Sequence, residues 1–416
     1  MRKQLIITVF VVLFLSFTGL AYATNGDNLM GIGTISRSMG GVGIAAPQDP
    51  ISAVFANPAA MCFGPYCPGS EFNFDGTIFS PTVHGKVEVP AMGLSTTAKS
   101  QSNVYLIPAI GISTPIDLKW RFGLAAYGVS GLGVDYRNEL DINPATAAPD
   151  GDMYTQYQAM KFAPNIAYMI NDNLSVGASI HIDYATLDLG SGSSHNYGIG
   201  VQLGTIYKTG PVSFGLSYVS PQNISHDRVF DFDGDGVKEE LKLEMPQTAG
   251  LGIAFEPSKN ALIEANIKWL NWADAKGYKD FDWENQWVYA LGAQYKATPA
   301  LTLRAGVNYG KSPVKLHDGF SSITPKEVQG HTLATGNFGY EYLRIIGFPA
   351  VAETHVTFGI GYQLTQKLAI NLGYTHAFEK TISETGRNFG GPGGPDVTLT
   401  SDLSEDSIEF GLSWRF

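Results

Sequence analysis

The sequence predicts an all-β fold: a transmembrane antiparallel β-barrel of about 14 strands with an N-terminal plug in its lumen. Three observations carry that expectation. Apolar and polar residues alternate over long stretches, tight turns alternate with longer polar loops, and the chain stops inside a strand, "SIEFGLSWRF", with no polar tail. In that last stretch Ile408, Phe410, Leu412, Trp414 and Phe416 fall on one face, and Glu409, Gly411, Ser413 and Arg415 on the other. A soluble sandwich or solenoid would cover the apolar face with a second layer. Strands this long exceed the roughly five or six residues usual in globular sheets, so the covering layer is read as lipid.

The elements follow in order. Arg2 and Lys3 precede the apolar run "LIITVFVVLFLSF", which leads to "AYA" at 21–23, the pattern of a signal peptide (1–23) cleaved before Thr24. The run is too short for a spanning helix, and no later stretch approaches the length one needs. Without the leader the chain has 25 basic and 38 acidic residues, a net charge of −13. That balance argues against a nucleic-acid partner, which requires a clustered positive face. Residues 24–70 are rich in Gly, Ala and Ser and lack alternation. A barrel of fourteen strands is too wide for its own side chains to fill, so this segment is read as the plug. Glycines on the inner face, such as Gly292, Gly306, Gly359 and Gly373, would let it approach the wall. Cys62 and Cys67, in "MCFGPYCPG", are candidates for a short-loop disulfide in an exported protein and make a poor metal site.

Residues 71–416 form the barrel. Alternation places strands near 71–80, 99–114, 119–134, 153–170, 173–189, 195–208, 211–226, 241–256, 260–272, 285–296, 300–311, 351–364, 367–381 and 403–416. Six connections are tight and carry turn residues: "TPIDLK", "INDN", "YKTGP", "EPSKN", "KATPA" and "LTQK". The seven that alternate with them are mostly long, such as "VDYRNELDINPATAAPDGD". Both ends of the barrel domain lie on the short-turn side, as in barrels of the Gram-negative outer membrane. The third strand carries Gly123, Gly128, Gly131 and Gly133, which weaken ladder packing and favour a bulge.

The run from Ser38 through "MGGVGIAAPQDPISAVFANPAAM" resembles the N-terminal hatch of the FadL/TodX family of outer-membrane transporters for long-chain fatty acids and other hydrophobic compounds. Asn57, Pro58 and Ala59 match that family's Asn-Pro-Ala motif, and Gly40, Gly41 and Gly43 match the small-residue stretch before it. The similarity continues through "RFGLAAYGVSGLGVDYR", "NLSVGASIHIDYATLDL", "MPQTAGLGIAF" and "GVNYGKSPV". It implies a monomeric fourteen-stranded barrel closed by a hatch. It also implies an outer hydrophobic groove, an inner pocket, and a kink in the third strand that opens the wall sideways to the membrane. The function expected is passive uptake of hydrophobic compounds, long-chain fatty acids with hydrocarbons or aromatics as further candidates, and lateral release. The surroundings are membrane lipid and lipopolysaccharide. No cofactor is expected.

Several residues are candidates for the site. "GNFGYEYLRIIGFPAVA" concentrates Phe338, Tyr340, Tyr342, Leu343, Ile345, Ile346 and Phe348 in one loop, either a capture groove for an acyl chain or a loop tucked over the barrel mouth. Arg344 in that loop and Arg304 in the lumen could meet a carboxylate. His181 and Asp183 project to one lumenal face, about 7 Å apart by the strand rise, and are read as polar lining. "DFDGDG" opens like a calcium loop, with Asp231, Asp233 and Asp235 at alternate positions, but the place of the closing Glu is Lys242. That leaves a weak calcium candidate beside a solvated acidic loop. No nucleophile is nominated for a hydrolase, so an enzyme is not expected. A general porin and a surface adhesin or structural barrel are the alternative functions.

Overall fold

The computed structural model describes residues 24–137 and 153–416; the signal peptide expected over 1–23 and part of the second long loop lie outside them. No helix among the described residues is long and apolar enough to cross a membrane, and the chain crosses with strands instead. The fourteen barrel strands are β1 (Glu71–Val89), β2 (Tyr105–Pro115), β3 (Trp120–Asp135), β4 (Tyr154–Asn171), β5 (Leu174–Asp188), β6 (Ser194–Thr209) and β7 (Val212–Val219), then β8 (Thr248–Ser258), β9 (Ala261–Leu270), β10 (Gln286–Lys296), β11 (Leu301–Gly310), β12 (Thr354–Gln363), β13 (Leu368–Gly386) and β14 (Val397–Arg415). Each pairs antiparallel with its sequence neighbours, and β14 closes on β1 over a register running from Glu71↔Arg415 to Glu88↔Thr398. Closure removes the sheet edge, which lipid cannot satisfy.

Alternation fixes the faces as expected. Ile408, Phe410, Leu412, Trp414 and Phe416 point outward and are exposed, while Glu409 and Ser413 are buried in the lumen. Outward aromatics mark both rims. Trp120 stacks near Tyr168 beside the short turns, and Tyr184 lies 5.3 Å from Tyr197 toward the long loops.

Two expected strands are shorter than the alternation suggested. The stretches 211–226 and 241–256 leave the wall at Pro221 and Pro246, which lie at the same level: Val219 pairs Thr248 below them and Gln222 pairs Met245 above. Neither proline has an N–H for the ladder, so the sheet breaks across both strands at once. Beyond the break, Gln222–Phe230 and Glu239–Met245 form a separate hairpin. It folds inward, with Ile224, His226 and Val229 buried. A further short strand, Leu94–Lys99, pairs back on the top of β1.

Residues 24–70 fill the lumen with two short helices, α1 (Thr34–Arg37) and α2 (Pro50–Ala56), and a 3-10 turn at Pro58–Cys62. The Asp49 carboxylate caps α2 by accepting from the Ser52 amide at 2.7 Å, Pro50 sits at the first helical position, and the Ser52 hydroxyl accepts the Asp49 amide in return.

Candidate functional site

The hatch is fastened by side chains of the wall. Arg37 donates to Glu409 and Ser407 of β14, both at 2.8 Å, and the Glu264 carboxylate accepts the amides of Gly43 and Ala45. Gly40 has φ 71°, and a Cβ there would stand 2.5 Å from the Val307 carbonyl of β11. Only glycine meets both demands. On the wall, Gly292 and Gly306 face Met39, and Gly359 and Gly373 face Ser38, too close for any side chain.

Asn57 is fully buried, and its side-chain amide donates to three carbonyls, of Ile44, Thr205 and Leu216, at 2.8, 3.1 and 3.2 Å. Its own oxygen accepts the Ala59 amide at 3.1 Å. Pro58 starts the 3-10 turn that follows, and the Ala59 carbonyl accepts from Ser175 of β5. The Asn-Pro-Ala motif is thus a rivet between the hatch and the wall over β5 to β7.

The third strand kinks where its glycines cluster. The β2–β3 ladder ends at Ala109↔Tyr127, although β2 continues to pair with β1 up to Tyr105. The β3–β4 register slips between Gly128 and Ser130, leaving Val129 as a bulge. Between Tyr105–Pro108 and Gly128–Gly133 the wall has no ladder. Pro108 has no N–H to offer, and Ile107 leans over Gly128, whose missing Cβ would lie 2.6 Å from the isoleucine Cγ2. Gly123 does not belong to this feature. It pairs with Ser113 and with Asn165 on either side, and its bare face receives Met61 of the hatch.

A cavity of about 330 Å³ runs through the gap. Its lining includes Val104 and Leu106 on the lipid face, 65% and 71% exposed, together with the buried Leu29, Val83 and Leu403 inside. The cavity therefore spans the wall. The start of the hatch lies against the kink: Leu29 N–H donates to the Val129 carbonyl at 3.0 Å and Gly131 N–H to the Asp27 carbonyl at 3.1 Å. These bonds replace the ladder β2 no longer supplies.

A second cavity, of about 100 Å³, lies deeper in the lumen and shares Leu29 and Val129 with the first. Apolar groups such as Ile44, Phe55 and Leu270 line part of it; Lys161, His181, Gln202, Gln222 and Lys268 line the rest. Lys161 lies 3.3 Å from Asp183 and donates to Gln222 at 2.7 Å and to His181 Nδ1 at 3.0 Å. The imidazole proton then sits on Nε2, facing Gln202 Oε1 at 3.1 Å. Lys268 differs. Its ammonium donates to the Met30 carbonyl at 3.0 Å, and it forms no ion pair among the described residues. Neither Lys161 nor Lys268 is legible in the sequence, because a lysine within an alternating strand carries no local sign of what surrounds it.

The loop that offered either a capture groove or a cover for the barrel mouth is packed in this structure. A helix, α3 (Gly336–Tyr342), continues as one π turn over Leu343–Gly347. Phe338, Tyr340, Ile345 and Ile346 are buried, and Tyr342, Leu343 and Phe348 pack against the same core. Its apolar residues pack over the barrel mouth. Arg344 is fully engaged, by the Phe281 and Lys315 carbonyls and by Glu341 and Glu384. His317, Glu341 and Glu384 approach within metal-ligand distances, but the Arg344 guanidinium occupies the cation's place. Arg304 is likewise committed, to Gln294 and Asn371.

The carboxylates of Asp231, Asp233 and Asp235 do converge, with Glu239, within 4.8 Å. They accept the loop's own amides, from Gly234, Gly236, Asp235 and Val237. Cys62 and Cys67 are both free thiols, which corrects the expected disulfide. Cys67 is turned onto the Met61 carbonyl at 2.9 Å, a local hydrogen bond that replaces the covalent one.

A closed fourteen-stranded barrel with an outward apolar belt, an internal hatch and a cavity through the wall defines an outer-membrane transport channel. The model of the family described as outer membrane protein transport protein (OMPP1/FadL/TodX) matches residues 21–227 and 194–325, and the chain belongs to that family. Among solved structures it is similar to the toluene transporter TodX of Pseudomonas putida, with 20% identity over 93% of this chain and 99% of that one and a TM-score of 0.67. A Pseudomonas aeruginosa FadL homologue matches at 16% identity over 95% and 100%, with a TM-score of 0.69. The Ralstonia pickettii toluene transporter TbuX matches at 17% over 94% and 99%, with 0.64. No curated protein sequence matches the chain. The family transports hydrophobic compounds across the outer membrane, as expected from the hatch residues.

Proposed function

We propose that this channel takes up amphipathic hydrophobic compounds with an anionic head, long-chain carboxylates above all, and releases them sideways into the outer membrane. The observation that carries the reading is the cavity through the wall at the β2–β3 gap, lined at once by the lipid-facing Leu106 and the lumenal Leu29. A hydrophobic solute gains about 0.8 kcal/mol for each methylene it buries, so an apolar route into the bilayer needs no energy coupling. Flux follows the gradient.

The deeper cavity selects the head. Lys161 is balanced by Asp183, whereas Lys268 presents a half-buried positive charge with only a carbonyl as partner. A carboxylate entering there supplies the missing counter-charge, and charge-assisted bonds from a lysine are roughly twice as strong as neutral ones. The acyl chain then lies toward Leu29 and Val129, the two residues common to both cavities. Displacement of Leu29 joins the cavities.

Uptake of labelled oleate and of toluene by cells lacking the protein, with and without a plasmid copy, tests the proposal. Oleate uptake restored by wild type, and reduced about tenfold or more by Lys268→Met while toluene flux is unchanged, is the expected result. Equal oleate uptake with and without the protein overturns it.

A further inference from the structure

We infer that removal of the leader completes the lateral opening: cleavage before Thr24 creates an α-ammonium that pairs with the Glu405 carboxylate and pins the start of the hatch across the gap. The inference rests on the cleavage site expected from the sequence and on the lateral-release reading above. It concerns a charge that neither supplies.

Glu405 lies on the lumenal face of β14 and is buried. The nearest cation on that face, Arg37, is already committed to Ser407 and Glu409, two and four positions further along the same strand. Glu405 forms no ion pair among the described residues. A buried carboxylate without a cation is costly. Its hydrogen-bonding neighbour is the side chain of Thr24, itself buried, and both residues line the cavity through the wall. A threonine hydroxyl and its own backbone nitrogen are separated by about 3 Å, so a carboxylate held by one is within reach of the other. In the precursor that nitrogen is a neutral amide. In the mature chain it is an ammonium, the counter-charge Glu405 lacks.

The other nearby acid is turned away. Asp27 accepts from the Tyr278 hydroxyl, while its backbone carbonyl accepts from Gly131. The contacts then form one line across the opening, from Glu405 on β14 through Thr24, a turn closed by the Asn25–Asn28 bridge, and the Leu29–Val129 bond on β3. Precursor and mature chain differ at the first link of that line.

The test uses the purified mature barrel in detergent. Intact mass establishes that the chain begins at Thr24, and the α-amine is labelled with limiting acetic anhydride at pH 7. Wild type should label about tenfold more slowly than Glu405→Gln, because the opposite charge holds the amine protonated. Glutamine keeps the hydrogen bond to Thr24 and removes only the charge. A second variant, with one glycine inserted before Thr24, changes no barrel residue and should also label fast. Equal labelling in wild type and Glu405→Gln overturns the pairing, as does a mature chain that begins elsewhere. Either failure leaves oleate uptake intact and so is distinct from failure of the lateral-release reading.

Discussion

Leu29 of the hatch and Val129 of the third strand are joined by a backbone hydrogen bond of 3.0 Å, at the point where the strand leaves its neighbour. The same two residues border both cavities, so one contact separates the lumenal cavity from the one through the wall. Leu29→Ala should widen the passage and raise oleate flux without changing the barrel's heat-modifiable migration on gels. Unchanged flux would mean that the partition lies elsewhere.

The opening can be stapled. A Cβ built on Gly128 stands 3.9 Å from the Ile107 Cβ, within the roughly 3.5 to 4.5 Å that a disulfide spans. The pair Ile107→Cys and Gly128→Cys should abolish uptake when oxidised and recover it on reduction with dithiothreitol. Full uptake by the oxidised protein, with the bond verified by mass, would exclude this exit.

Asn57→Ala removes three donated hydrogen bonds and leaves buried carbonyls behind. At about 1 kcal/mol for each bond, the loss is about 3 kcal/mol, concentrated in the hatch. Hydrogen exchange across 44–62 should accelerate by about a hundredfold while the β14–β1 seam stays protected.

The two thiols should remain unbonded and slow to react. Burial pushes Cys62 up to about 12 and raises Cys67 as well, which suppresses the thiolate each would need. Intact mass should show no loss of two hydrogens. Alkylation by iodoacetamide at pH 8 should need denaturation to reach both residues.

The inward hairpin should loosen in acid. Burial pulls His226 down to about 4 from its ordinary 6.5. Below 6.5 the opened form takes up a proton that the closed form refuses, so closure is fully stable above that pH and weakens steadily as pH falls toward 4. Exchange of 222–245, corrected for intrinsic rate, should rise between pH 7 and pH 5, and His226→Phe should remove the difference.

The sequence made the wall legible because a barrel in lipid allows little else: alternation must be kept over every crossing. The strand count, the turn order and the hatch could be read from residues such as Ile408 to Phe416 and Asn57 to Ala59. What could not be read depends on contacts distant in the chain. Pro221 and Pro246 end two strands because they meet across a ladder. Phe338 to Phe348 look available for a ligand until the barrel mouth closes around them, and Gly123 resembles its neighbours until Met61 is seen against it. Lys268 is informative only through what fails to surround it.

One strand has three duties. β14 closes the cylinder on β1, holds Arg37 through Glu409, and carries Glu405 at the side opening. The rest of the hatch is fastened elsewhere, by Asn57 to β6 and β7 and by Glu264 of β9, so β14 holds only the leading end of the stopper. The seam that seals the sheet is therefore also the clasp on the front of the cork, while its rear is riveted to the opposite wall.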